Sequence, residues 1–185
     1  MGVTVITGDG KGKTTGALGL ALLALESGRQ AAVVQFLKGN SYAGELFAAQ
    51  RAGLRIYQFG WGCPWSSLIR SGQMHCIGCG ECFRHNRDPE YGFAVKALEF
   101  ARRLADSGEY GLLVLDEVSH ALRRGLLEDG AVTDLVTAYR EQMDLVLTGR
   151  QMPAEITALA DTVYDLQAVK HPFEQGIKSR RGIEY

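Results

Sequence analysis

Thr7-Gly8-Asp9-Gly10-Lys11-Gly12-Lys13-Thr14-Thr15 follows directly on the apolar run Val3-Thr4-Val5-Ile6, and this junction decides the fold. A short buried strand running into a glycine-rich turn, with Lys and Thr where the next helix must begin, is the pattern of a phosphate-binding loop, G-x-x-x-x-G-K-[ST]. Gly12-Lys13-Thr14 match its second half, whereas Thr7 holds the first glycine position and Gly8 is displaced by one. The physics of the variant is intact. Gly8, Gly10 and Gly12 let the backbone curl until its N–H groups converge on phosphate oxygens. The start of the following helix adds partial positive charge. Lys13 neutralises phosphate charge and Thr14 offers a hydroxyl to Mg²⁺. Asp9, Lys11 and Thr15 complete the nucleotide-binding stretch. A merely tight strand–helix turn does not account for Lys-Gly-Lys-Thr-Thr behind a buried strand, so ATP is the expected ligand.

Outward from the loop, strands and helices alternate. The pattern predicts a helix over 13–27 stopped by Gly28, a strand over 31–37, a helix over 43–52 closed by Gly53 and a strand over 54–59. Residues 60–88 have no clean period and read as an irregular, Cys-rich insert in one domain spanning 1–185. Asp88 as N-cap and Pro89 at the first helical position predict a helix that ends at Gly108. Strands are expected at 112–115, 145–147 and 162–166, with helices at 131–142 and after Pro153, and residues 167–185 read as a polar tail. Such alternation predicts an α/β fold of the P-loop NTPase (RecA-like) type, a mainly parallel sheet with helices on both faces. Ligands then bind outside the carboxyl ends of the strands.

Leu112-Leu-Val-Leu-Asp116-Glu117 is an apolar strand ending in carboxylates. Asp116 and Glu117 are expected to face the phosphate loop across neighbouring strand ends and to hold Mg²⁺ or its waters. A plain strand end with a helix cap is the alternative reading, weakened by the loop upstream.

Four further segments narrow the family: Val34-Gln-Phe-Leu-Lys38-Gly39, Asp116-Glu117-Val118, Leu147-Thr148-Gly149-Arg150, and Ala160-Asp161-Thr162-Val163 followed by the tail Val169 to Tyr185. In this order, with the loop, they resemble the P-loop ATP:corrinoid adenosyltransferases of coenzyme B12 synthesis and salvage. The resemblance covers nearly the whole chain except residues 66–88. It implies a reaction in which cobalt(I) of a corrinoid attacks the 5′ carbon of ATP, a cobalt–carbon bond forms and triphosphate leaves. The nucleophile belongs to the corrinoid. The protein supplies orientation and stabilisation of the leaving triphosphate, which suits Lys13, Thr14 and Glu117. The resemblance further implies that Arg150 and His171 line the site, and that a flavoprotein or ferredoxin delivers the reducing electron. It also implies a homodimer. Bulky residues after the third strand are expected to displace cobalt's lower ligand. Trp65 occupies the matching position, while Cys63 stands where relatives carry Phe. The N-terminal extension that covers the site in many relatives has no counterpart before the first strand, so a cover is expected from elsewhere, with the C-terminal tail as one candidate.

All four cysteines fall within residues 63–82. Cys76-Ile-Gly-Cys79-Gly-Glu-Cys82 repeats the x₂ spacing of ferredoxin cluster-binding runs, with Cys63 as a fourth ligand. Four thiolates also suit structural Zn²⁺. A [4Fe–4S] cluster and Zn²⁺ therefore both stay open, with His75 and His85 as substitute ligands.

Net charge is −1, so no global field exists to hold nucleic acid; the basic cluster Lys178, Arg180, Arg181 reads as solvated tail. No apolar stretch is long enough for a membrane, and the first strand leaves no room for a cleaved signal. A cytoplasmic protein is expected. Two other functions fit parts of the pattern: a P-loop nucleoside kinase, and a nucleotide-gated iron–sulfur switch without a corrinoid pocket.

Overall fold

The computed structural model describes residues 1–39 and 44–170. Its centre is a six-stranded sheet of order β3-β2-β4-β5-β1-β6, formed by β1 (Val3–Thr7), β2 (Ala31–Phe36), β3 (Arg55–Phe59), β4 (Leu112–Asp116), β5 (Asp144–Thr148) and β6 (Thr162–Asp165). Every pairing is parallel. β2 and β4 are buried along their whole length, as parallel strands covered on both faces must be.

Helices cover both faces. α1 (Lys13–Glu26) lays Ala17, Ala21 and Ala24 on one face, joined there by Ala49 of α2 (Gly44–Arg51). Small residues at that spacing let a helix approach a sheet closely. The other face carries α5 (Phe93–Asp106), whose stripe Ala94, Ala97, Leu98, Ala101 and Ala105 is buried. Beside it lie α6 (Val118–Arg123), α7 (Ala131–Tyr139) and α8 (Ala154–Thr157).

Because all strands run one way, every loop after a strand lies at one end of the sheet. The phosphate loop after β1, Lys38 after β2, Glu117 after β4 and Arg150 after β5 all gather at that end. The expected fold class holds, with several revisions. The β1 and β4 ends are not neighbours, because β5 lies between them. The insert is not wholly irregular: it holds α3 (Ser66–Ser71) and α4 (Glu81–Asn86). Asp88 does cap, but it caps a 3₁₀ turn over Pro89–Tyr91 by accepting from the Glu90 N–H at 3.0 Å. Gly92, at φ 60°, then separates that turn from α5. α7 stops at Tyr139 rather than at 142.

Polar and aromatic contacts order the insert and hold it to the turn that follows it. Asn86 is buried, and its Oδ1 accepts the Trp61 N–H at 2.6 Å. The Trp61 ring stacks on His85 at 4.2 Å between centroids, and Tyr91 reaches His85 Nδ1 at 3.1 Å.

Candidate active site

The loop residues adopt the backbone that the glycine pattern demands. Gly8 and Gly12 have φ of 94° and 108°, where a side chain would be strained. Gly10 packs so closely on the chain after β6 that its N–H donates to the Leu166 carbonyl at 2.6 Å. Lys13 is folded over the loop, with Nζ donating to the carbonyls of Gly8 at 2.7 Å and Gly10 at 2.6 Å. It is only 6% exposed. Burial, then Arg150, lowers its pKa against the opposing pull of Glu117, Asp9 and Asp116. A desolvated ammonium above a ring of glycines is a prepared counter-charge for phosphate.

Asp116 is the electrostatic centre of the site. It is fully buried and accepts from Thr14 Oγ1 at 2.9 Å, Gln35 Nε2 at 3.0 Å, Lys38 Nζ at 2.8 Å and Thr148 Oγ1 at 2.7 Å. Burial alone would raise its pKa. The Lys38 charge and the hydrogen bonds from Lys38, Thr148 and Thr14 outweigh that and hold it below the usual carboxylate range. Lys38 is the counterpart: burial would lower its pKa, but Asp116, Glu45 and Glu117 raise it.

Glu117 has the opposite character. Burial and the neighbouring Asp116 charge push its pKa up, and Lys38, Lys13 and Arg150 only partly offset this. Its φ is 62°, a left-handed conformation that is strained for a residue with a side chain. The Thr148 hydroxyl accepts its N–H at 3.0 Å. Strained backbone beside a carboxylate of raised pKa, at the strand ends, makes Glu117 a candidate functional residue.

A cavity of about 630 Å³ opens over this group, within the usual range for small-molecule sites. Lys11, Lys13, Thr15, Lys38, Glu117 and Arg150 line one part, and Leu18, Leu22, Ala48 and Leu54 another. Phosphates and an apolar moiety can thus be held side by side. Arg150 pairs with Asp9 at 3.6 Å, and its carbonyl accepts from Ser119.

The other expected residues are less gathered. Trp65, at the N-terminal end of α3, is 44% exposed, so it is not a core residue. Cys63 and Cys82 are half-buried, Cys76 and Cys79 exposed, and all four are free thiols. Burial raises the Cys82 pKa; a backbone hydrogen bond from Phe83 lowers it, and Cys63, Cys79 and Cys76 raise it. Among the described residues, no group of three or more His, Cys, Asp or Glu side chains is arranged to hold a metal. Glu81 and Tyr91 engage His85. His171 and the basic cluster of the tail lie outside the described residues. Sequence reasoning gave no role to Lys38, Thr148, Gln35 or Glu45. Lys38 and Thr148 sit inside segments that carried the family resemblance, which was the available signal.

The chain matches the family described as ATP:corrinoid adenosyltransferase BtuR/CobO/CobP over residues 2–185. It is 32% identical over 183 residues to a corrinoid adenosyltransferase of Escherichia coli K12, covering 99% of this chain and 85% of that protein. It is 30% identical to corrinoid adenosyltransferase CobA of Salmonella typhimurium LT2, with the same coverage. Among solved structures, a KaiC-like protein from Pyrococcus horikoshii OT3 aligns with a TM-score of 0.50 at 16% identity. That alignment covers 91% of this chain and 73% of that one, and its likeness is one of fold.

Proposed function

The chain belongs to the ATP:corrinoid adenosyltransferase family and is an enzyme of cobalamin synthesis that transfers the adenosyl group of ATP to a corrinoid, and we propose that the strand-end network around Lys13 and Asp116 performs the transfer. The observation that carries this reading is the desolvated Lys13 ammonium closed over the glycine loop, beside the fully buried Asp116. The nucleoside-kinase and nucleotide-gated switch readings are not favoured by relatives of this kind.

Attack at the 5′ carbon makes triphosphate the leaving group. Its charge must be met as the carbon–oxygen bond breaks. Lys13 and the loop amides from Gly8 to Thr15, apart from that of Gly10, which the Leu166 carbonyl takes, supply fixed donors and positive charge where that charge collects. Lys11 and Arg150 add to them from the cavity wall. No side chain is required as a base, because the corrinoid carries the nucleophile. Thr14, Asp116 and Glu117 fit magnesium: a hydroxyl and two carboxylates meet there. Magnesium bound there would screen the triphosphate; the protein's own task is to hold Thr14 and the carboxylates in register.

For the corrinoid, Trp65 is the residue assigned to the lower face, on the exposed segment after β3. We assign Cys63, Cys76, Cys79 and Cys82 as a thiolate set for an iron–sulfur cluster or Zn²⁺. Their support is the repeated x₂ spacing, the free state of all four thiols and the electrostatic reach of the other three onto Cys82. The metal would draw together thiols that are near but not convergent. A single domain with this insert, a homodimer, a cytoplasmic location and a flavoprotein or ferredoxin reductant complete the reading, on the family resemblance. No helix among the described residues is long and apolar enough to cross a membrane.

Lys13→Ala tests the assignment. Adenosylation should fall more than about tenfold in kcat/KM, a loss above ~1.4 kcal/mol, with the circular dichroism spectrum unchanged. A folded variant that keeps more activity than that removes Lys13 from the role.

A further inference from the structure

Lys38 stands where a divalent cation belongs. Its Nζ lies 2.8 Å from Asp116 Oδ2, 3.5 Å from Thr14 Oγ1 and 4.0 Å from Glu45 Oε1. Thr14 is the residue whose hydroxyl meets the metal in phosphate loops, yet here it donates to the other Asp116 oxygen at 2.9 Å. Gln35 and Thr148 reach Asp116 only with neutral amide and hydroxyl groups. Lys38 is the cation in direct contact with this fully buried carboxylate, while Lys13 acts on it from farther away. Removing the charged partner of a buried carboxylate is strongly destabilising.

An ammonium and a magnesium ion cannot share the space between Thr14 and Asp116, because like charges a few ångströms apart repel strongly where water is excluded. Glu45, at the start of α2, offers the ammonium a second partner on the cavity side. We propose that Lys38 is a built-in substitute for the metal, filling the cation position between Thr14 and Asp116 in the nucleotide-free enzyme and swinging toward Glu45 and the phosphates when magnesium enters with ATP. This rests on the reading of Thr14 and Asp116 as the magnesium site. The device makes binding ordered: the bare ion meets a site already neutralised, and only the metal–nucleotide pair brings phosphates to receive the displaced ammonium. Lys38 is thus a positioning residue, acting through the metal site.

Mn²⁺ followed by electron paramagnetic resonance, with thermal melting alongside, tests this without any turnover. Wild-type protein free of nucleotide should bind Mn²⁺ poorly and show no melting shift. Lys38→Met keeps the apolar stem and removes the charge. It should melt lower than wild type, bind Mn²⁺ without ATP roughly tenfold or more tightly, and recover melting temperature as Mn²⁺ is added. Lys38→Gln, which keeps a donor for Asp116, gives the same comparison if the methionine variant does not fold. Variants with no gain in Mn²⁺ affinity, or wild-type protein that binds bare Mn²⁺ as tightly as they do, overturn the proposal. Thr14→Ala separates the two layers. If it leaves Mn²⁺·ATP affinity unchanged, the magnesium-site reading fails and takes the proposal with it. If it weakens Mn²⁺·ATP while the Lys38 variants gain nothing, only the substitute role fails.

Discussion

Thr148 Oγ1 donates to Asp116 Oδ1 at 2.7 Å while accepting the N–H of the next residue, Glu117, at 3.0 Å. β5 lies between the strand of the phosphate loop and the strand of the carboxylates, so the residue at its end links the two halves of the site. The same hydroxyl satisfies a buried carboxylate and steadies a residue held at φ 62°.

Thr148→Val keeps the shape and deletes both hydrogen bonds. Leaving a buried polar group unsatisfied costs about 1–3 kcal/mol, and each kcal/mol lowers the melting temperature by roughly 2–4 °C in a chain of this size. The variant should melt lower and need more Mg²⁺ for half-maximal transfer. Calorimetry and a Mg²⁺ titration check both; unchanged values would make the hydroxyl incidental.

Trp65 is 44% exposed, so truncating it should cost little stability. Trp65→Ala is expected to slow reduction of bound cobalt(II) while sparing transfer to chemically pre-reduced cobalt(I). Parallel assays from the two oxidation states measure this. Equal losses in both would mean that the ring only packs.

Cys79→Ser addresses the thiolate set. Metal content and cobalt(II) reduction should fall together while ATP binding, which depends on the loop after β1, persists. Iron, zinc and sulfide analysis after anaerobic purification identifies the metal. Wild-type protein with neither metal, even after anaerobic reconstitution, would remove the shared site.

His120 gives a pH signature. Burial, and then Arg124, Arg87 and Arg123, lower its pKa from 6.5, and its Nε2 accepts from Arg124 Nε at 2.7 Å. The folded state therefore favours the neutral ring. Below pH 6.5 the unfolded chain takes up the proton first, so stability falls as pH drops toward the lowered folded value and is fully present above 6.5. Melting curves of wild type and His120→Gln should diverge with pH across that window. Parallel curves would refute the contribution.

Much of this was legible because it is local. The strand, the three glycines and Lys13-Thr14 are contiguous, and the helix spacing of α5 repeats within a few turns. What escaped depends on packing at long range. Nothing in the apolar runs of β4 and β5 says which lies beside β1, so the order that makes Thr148 the bridge was not readable. Lys38 finds its carboxylate 78 residues away and Thr148 finds the same one 32 residues away. Asp88-Pro89 carries a genuine capping signal, but Gly92 at φ 60° spends it on a 3₁₀ turn. The insert read as structureless because the contacts that order it, Trp61 on His85 and Asn86 on Trp61, have no periodic signature.

The central claim is that the loop around Lys13 holds a leaving triphosphate, and phosphorus NMR of the products tests it most directly. Incubated with ATP, Mg²⁺ and pre-reduced cobalt(I) corrinoid, the enzyme should release intact triphosphate in step with the adenosylated corrinoid seen by visible absorbance. ADP, or pyrophosphate with orthophosphate appearing at the same rate as the cobalt–carbon bond, would contradict the account.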